Sequence, residues 1–160
     1  MRAIEDQIDR AKLRFTLTYA LTRRFSAGIE WNPLAETASP LANWHAVTET
    51  RRRPALILGT SSDRIGTPSG QSFYATLSKD LGGVGSVRIA PYAGVAYGTY
   101  EDLARAIGGL NVDVGRGLST LALFDGDHGH GLVTWSGERF GASLVLVRFK
   151  DIGVSLNLRF

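Results

Sequence analysis

From Leu13 onward, apolar and polar positions alternate with a period of two. Leu13, Phe15, Leu17, Tyr19 and Leu21 are interleaved with Arg14, Thr16, Thr18 and Ala20. Successive side chains of an extended strand point to opposite faces, so this spacing predicts a strand with one apolar and one polar face. Thr22-Arg23-Arg24 reads as a turn. Beyond it, Phe25, Ala27, Ile29 and Trp31 alternate with Ser26, Gly28, Glu30 and Asn32, which makes the pair a hairpin. The same reasoning predicts strands over 43–49, 55–59, 72–80, 86–97, 104–114, 118–124, 132–136, 140–149 and 152–160. Segment 33–41 carries two prolines and is predicted as a loop. Segment 61–70, rich in Ser, Gly, Asp and Pro, is predicted as the core of the longest loop. Pro91 interrupts the cleanest alternation, and since proline has no N–H for the ladder, a bulge is expected there. In residues 2–11, Ile4, Ile8 and Ala11 recur at roughly helical spacing, which predicts a short helix or tail. The expected organisation is therefore an N-terminal tail over 1–12 and one β domain over 13–160.

The connections alternate in length as well. One set, at 22–24, 50–53, 82–85, 115–117 and 137–139, is uniformly short. The other, at 33–42, 60–71, 98–103, 125–131 and 150–151, is mostly longer. That is the asymmetry of up-and-down barrels with tight turns at one end and loops at the other. About eleven strands are predicted. The count becomes twelve if residues 2–11 are strand, and ten if 43–49 is not a separate strand.

Many amphipathic strands in sequence need a closed sheet, because closure removes the unpaired edges. Composition bears on which face points inward. No run approaches the roughly 18 apolar residues of a membrane-spanning helix, and mean hydropathy is −0.02. The polar faces are rich in Gly, Ala, Ser and Thr and poor in Lys, unlike a surface in water. The apolar faces carry Leu, Val, Ile and Phe, with aromatics near strand ends at Phe25, Trp31, Trp135, Phe140, Phe149 and Phe160. Apolar outside and polar inside is the arrangement of a membrane barrel. A soluble barrel or sandwich that binds an apolar ligand would carry the reverse. The absence of Cys excludes disulfides and thiolate metal sites. A net charge of +3, with basic clusters only at Arg23-Arg24 and Arg51-Arg52-Arg53, gives no nucleic-acid signal.

The chain ends on Ile152-Gly-Val-Ser-Leu-Asn-Leu-Arg-Phe160, an amphipathic strand that stops on an aromatic residue. This resembles the closing strand of bacterial outer-membrane β-barrels. The resemblance implies an all-β, antiparallel up-and-down transmembrane barrel of about 10–12 strands. It further implies residence in the outer membrane, contact with lipid, and Phe160 as a signal read by the barrel-assembly machinery. The expected role is a narrow channel or a structural envelope component, with no cofactor and no enzyme chemistry. An outer-membrane barrel hydrolase is the remaining alternative. Residues 1–12 contain no apolar signal core, so this reading expects an export signal to precede them.

Arg14, Glu30, Arg88, Asp113, Asn157 and Arg159 fall on predicted polar faces and are candidate lumen residues, where charges pair or tune ion passage. Asp125-Gly-Asp-His-Gly-His130 places Asp125, Asp127, His128 and His130 within six residues, oxygen and nitrogen donors of the kind that hold divalent metals. No third element supplies further ligands, which favours a polar outer loop. The 61–70 segment combines a possible Asp63–Arg64 pair with several turn formers. It is expected either to form an ordered surface loop or to fold inward and constrict the lumen.

Overall fold

A computed structural model describes residues 1–4 and 12–159. Its strands are β1 (Arg2–Ile4), β2 (Leu13–Ala20), β3 (Phe25–Asn32), β4 (Thr37–Val47), β5 (Ala55–Ser62), β6 (Gln71–Ser78), β7 (Arg88–Gly98), β8 (Leu103–Gly115), β9 (Leu118–Phe124), β10 (Gly129–Ser136), β11 (Phe140–Val147) and β12 (Asp151–Leu158). From β2 to β12 each strand pairs antiparallel with its sequence neighbour, an up-and-down sheet. β2 and β12 do not pair with each other. The short β1 lies between them, with Arg2 opposite Ser155 on one side and Arg14 on the other, and the ring of pairings closes through it. The N-terminal ammonium donates to the Leu156 carbonyl at 2.9 Å and extends this junction.

Turn chemistry explains why strands reverse where they do. Between β2 and β3, Thr22 Oγ1 accepts from the amides of Arg24 and Phe25 at 3.1 and 2.9 Å. Between β4 and β5, Thr50 and Arg53 exchange both backbone hydrogen bonds and leave Arg51-Arg52 at the tip. Between β8 and β9, Arg116 and Gly117 both adopt positive φ, the conformation of a two-residue hairpin turn. Between β11 and β12, Val147 pairs with Asp151 across a three-residue connection in which Arg148 and Phe149 both adopt φ 54° and the Lys150 amide donates to the Val147 carbonyl at 3.0 Å; positive φ is an uncommon conformation for residues with a Cβ.

Several sequence expectations need correction. Residues 2–4 are strand, their backbone paired across the gap between β2 and β12; Lys12 is helical, and the rest of the segment expected as a short helix or tail lies outside the described residues. Residues 37–41, expected as loop, form the first part of β4, with Pro40 opposite Ile29. Residues 129–131, expected within a loop, begin β10. Phe149, expected in a strand, sits in a turn. Register is continuous through Pro91; the irregularities lie at His45/Val47 and Asp113/Gly115.

Exposure inverts the order expected in water. Leu17 is 67% exposed and Tyr19 72%, whereas Glu30 is 1% and Asn32 0% exposed. Among the described residues the buried apolar side chains are Ala55, Val145 and Val147. The outer face carries aromatics at two heights. Phe25, opposite Trp44, and the Trp135–Phe140 pair (ring centroids 6.2 Å apart) stand near the turn end. The stacked Phe15–Trp31 pair (5.6 Å), Phe73 opposite Tyr97, and Phe124 stand near the loop end. Phe25 and Trp31 lie on one face of β3, separated by about 20 Å of strand.

Candidate functional site

The long β5–β6 connection, residues 63–70, folds into the loop end of the lumen. Three kinds of contact hold it there. Ile65 packs against the inward-facing Val145 and Val147 of β11. Thr67 is 1% exposed, and its Oγ1 and amide both donate to the Arg64 carbonyl, at 3.0 and 3.3 Å, which tightens the segment on itself. Asp63, also buried, accepts from the Arg64 amide at 2.8 Å and the Tyr100 amide at 3.1 Å, and so ties the segment to the β7–β8 loop. Gly98 makes this approach possible. A Cβ there would stand 2.5 Å from Asp63 Oδ1, closer than any real contact.

Arg64 is the hub of the charge network. Its Nε and Nη2 donate to the two carboxylate oxygens of Glu101 at 3.2 and 2.6 Å, and its Nη1 lies 2.9 Å from Asp127 Oδ2. The planar guanidinium suits this forked geometry. Arg105, on β8, completes the network: it donates to Glu101 at 3.0 Å and to the Gly126 carbonyl at 3.3 Å. One inward loop is thus clamped to two neighbouring loops through alternating charges. The hydrogen bond from Arg64, reinforced by Arg105, holds the Glu101 carboxyl below its ordinary range. The Glu101 carboxylate in turn raises the Arg64 guanidinium.

His130 and Asp125 form a second pair, with Nε2 and Oδ2 3.0 Å apart. His130 is 3% exposed. Its Nδ1 accepts from the Arg148 amide at 3.3 Å, which leaves the proton on Nε2 facing Asp125. Burial pushes the Asp125 carboxyl up, but the His130 ring and the amides of His128 and Asp127 outweigh it and leave the group below its ordinary range. With both ring nitrogens engaged, His130 has none left to activate a nucleophile.

The four loop residues singled out as metal donors therefore divide. Asp125 binds His130, and Asp127 binds Arg64. His128 Nδ1 lies 3.0 Å from Asp127 Oδ2 without the alignment of a hydrogen bond. No group of three or more His, Asp or Glu side chains converges among the described residues.

The candidate lumen residues also separate. Arg14 and Glu30 pair at 2.9 Å across β2 and β3, and Asn32 donates to the same Glu30 carboxylate at 3.0 Å. Asn157 lines the cavity that Arg14 and the β5–β6 segment share. Arg88 is largely exposed at the turn end and paired with Asp80. Asp113 accepts from the Gly115 amide at 2.8 Å in the β8–β9 turn. Arg159 is exposed beside the β10–β11 turn, its amide bonded to the Arg139 carbonyl at 2.9 Å. Phe160 lies outside the described residues.

Glu101, Arg105 and Arg148 escaped sequence reasoning. Arg105 alternates with Ala104 and Ala106, a signal for an inward charge. Glu101 has no local signal, since its partners lie in other loops. Arg148 belongs to the strained β11–β12 turn. Its guanidinium reaches the inward loop, where a Cβ on Gly66 would stand 3.1 Å from Nη2. Its neighbour Phe149 lays its ring over β10, so that a Cβ on Gly129 would meet it at 2.9 Å. These contacts hold a turn that the backbone alone disfavours.

Beneath the inward loop the lumen keeps a cavity of about 650 Å³, bordered by Tyr74, Tyr92, Ile107, Leu121 and Leu132. Tyr74 O–H donates to Asn43 at 2.6 Å along its wall.

Fold and site together define an up-and-down antiparallel β-barrel architecture with an internal plug at one end. No family model, curated protein or solved structure matches the chain. The functional reading rests on its own geometry.

Proposed function

We propose that this protein is a small transmembrane β-barrel of the bacterial outer membrane, with its lumen held closed at the loop end by residues 63–70. The carrying observation is the inverted polarity: Leu17, Tyr19, Ile152 and Leu158 are more than half exposed, while Glu30, Asn32, Asp63 and His130 are buried. Apolar area in water is unfavourable at about 25 cal/mol per Å², so a surface of this kind needs a hydrocarbon solvent. The two aromatic levels suit the two interfaces of a bilayer. The resemblance of residues 152–160 to closing strands supports the outer membrane and recognition by the barrel-assembly machinery. With its plug in place the barrel acts as a structural envelope component or a narrow channel that is closed at rest.

The test is solvent dependence. The purified chain is expected to show a β-rich circular dichroism spectrum and a single species in detergent or lipid vesicles, and to aggregate when these are removed. Monodisperse folded protein in plain buffer would overturn the assignment.

A further inference from the structure

The two ends of the barrel differ in how their cations are used. At the loop end, Arg64 and Arg105 are consumed in ion pairs with Glu101 and Asp127, and across the connections from β3 to β12 the exposed cations outside these pairs, Arg148 and Lys150, are confined to the single β11–β12 connection. At the turn end, Arg23 and Arg24 occupy the β2–β3 turn, Arg51, Arg52 and Arg53 the β4–β5 turn, Arg116 the β8–β9 turn, and Arg139 the β10–β11 turn. All are exposed, and none has a carboxylate partner among the described residues. The fifth connection at this end carries Lys79 and Arg88, and both are paired, to Glu49 and Asp80. Unpaired guanidinium groups therefore stand in four of the five connections of one rim.

We propose that this rim binds the headgroups of anionic phospholipids in the leaflet surrounding the turn end. The inference rests on the membrane reading above. Two features select lipid over a soluble polyanion. First, the arginines are spread round the circumference, which suits a surface that encircles the barrel; a compact ligand docking on one side needs a one-sided patch. Second, they stand next to the aromatic level of that end: Arg24 precedes Phe25, Arg139 precedes Phe140, and the Arg24 carbonyl accepts from the amide of His45, next to Trp44. Aromatic rings take the headgroup level of a bilayer, which puts the adjoining guanidinium groups at phosphate depth. Arginine offers forked donors that match phosphate oxygens. A basic residue near an anionic surface contributes about 1 kcal/mol, or roughly five-fold in affinity, within a Debye length.

The three tryptophans provide local reporters. Trp44 and Trp135 lie at the turn end and Trp31 at the loop end, all about half exposed on the outer face. Single-tryptophan proteins, the other two replaced by Phe, are reconstituted in phosphatidylcholine vesicles holding a fixed fraction of phosphatidylglycerol. Bromine is carried on the tails of one lipid or the other. Brominated phosphatidylglycerol is expected to quench Trp44 with at least a five-fold preference over brominated phosphatidylcholine at low salt, and Trp31 with almost none. The preference at Trp44 should collapse in 0.5 M salt and in the R51Q/R52Q/R53Q variant, while brominated phosphatidylcholine still quenches and reports insertion. Equal preference at Trp31 and Trp44, or a preference unmoved by the triple substitution, would overturn the rim proposal and leave the membrane reading intact. Failure of either brominated lipid to quench any tryptophan would overturn the membrane reading itself.

Discussion

Adjacent residues on one strand meet opposite environments. Leu156 lies on the outer face of β12, 45% exposed, while Asn157 lines the cavity shared with Arg14. Leu156→Arg is expected to destabilise the lipid-reconstituted protein by roughly 1–2 kcal/mol, between the midplane and interface costs of arginine, because Leu156 pairs with Ala142, itself opposite Trp135 of the turn-end aromatic level. Asn157→Arg should cost far less, because its new charge enters a polar lumen. Urea titrations in vesicles measure both, and equal losses or the reverse order would contradict the assigned faces. The buried Glu30 shows the same logic from inside. A carboxylate at 1% exposure is tolerable because Arg14 and Asn32 both bind it.

At the scale of the element, the β5–β6 connection behaves as a plug held by one residue from within and two loops from without. Arg64→Ala removes both the Glu101 fork and the Asp127 contact. The segment should then leave the lumen more often, seen as larger single-channel currents in planar bilayers and faster protease cleavage within 63–70. Glu101→Gln should have a smaller effect, since Asp127 still holds Arg64. Acid should act in the same direction. The folded-state value of Glu101 is lowered from 4.5 by its hydrogen bonds from Arg64 and Arg105, so its contribution is full above that value and is lost as pH falls through the lowered one. Current should therefore rise below about pH 4.5 and stay flat between pH 6 and 8. A transition centred near neutrality, or Arg64→Ala currents equal to wild type, would show that this network does not hold the plug.

For the whole molecule, closure depends on the shortest strand. β1 has three residues, yet among the described residues it alone links β2 to β12. Without it both edges present unpaired N–H and C=O groups, each worth several kcal/mol in hydrocarbon. A chain lacking residues 1–4 is expected to refold into vesicles in lower yield and to exchange the β2 and β12 amides much faster than wild type, with β6–β8 unaffected. Full protection of β2 and β12 in the truncated chain would show that the two long strands can pair directly.

The amino-acid sequence by itself determined the strand periodicity, the turns at Thr22–Arg24 and Arg51–Arg53, the apolar and polar faces, and the contrast between short and long connections. Each of these is a local property, set by side-chain alternation and by residues that favour tight reversal. Where local signals conflicted, sequence reasoning went astray: Pro33 and Pro40 masked the first half of β4, and the helical spacing of Ile4, Ile8 and Ala11 hid a strand at residues 2–4. Only the tertiary structure decided that 63–70 turns inward, because that depends on Val145 and Val147 offering Ile65 an apolar seat and on Gly98 leaving room for Asp63. It likewise decided the partners of Arg64. Glu101 and Asp127 are 37 and 63 residues away along the chain, and no local pattern encodes which loops a closed sheet will bring together.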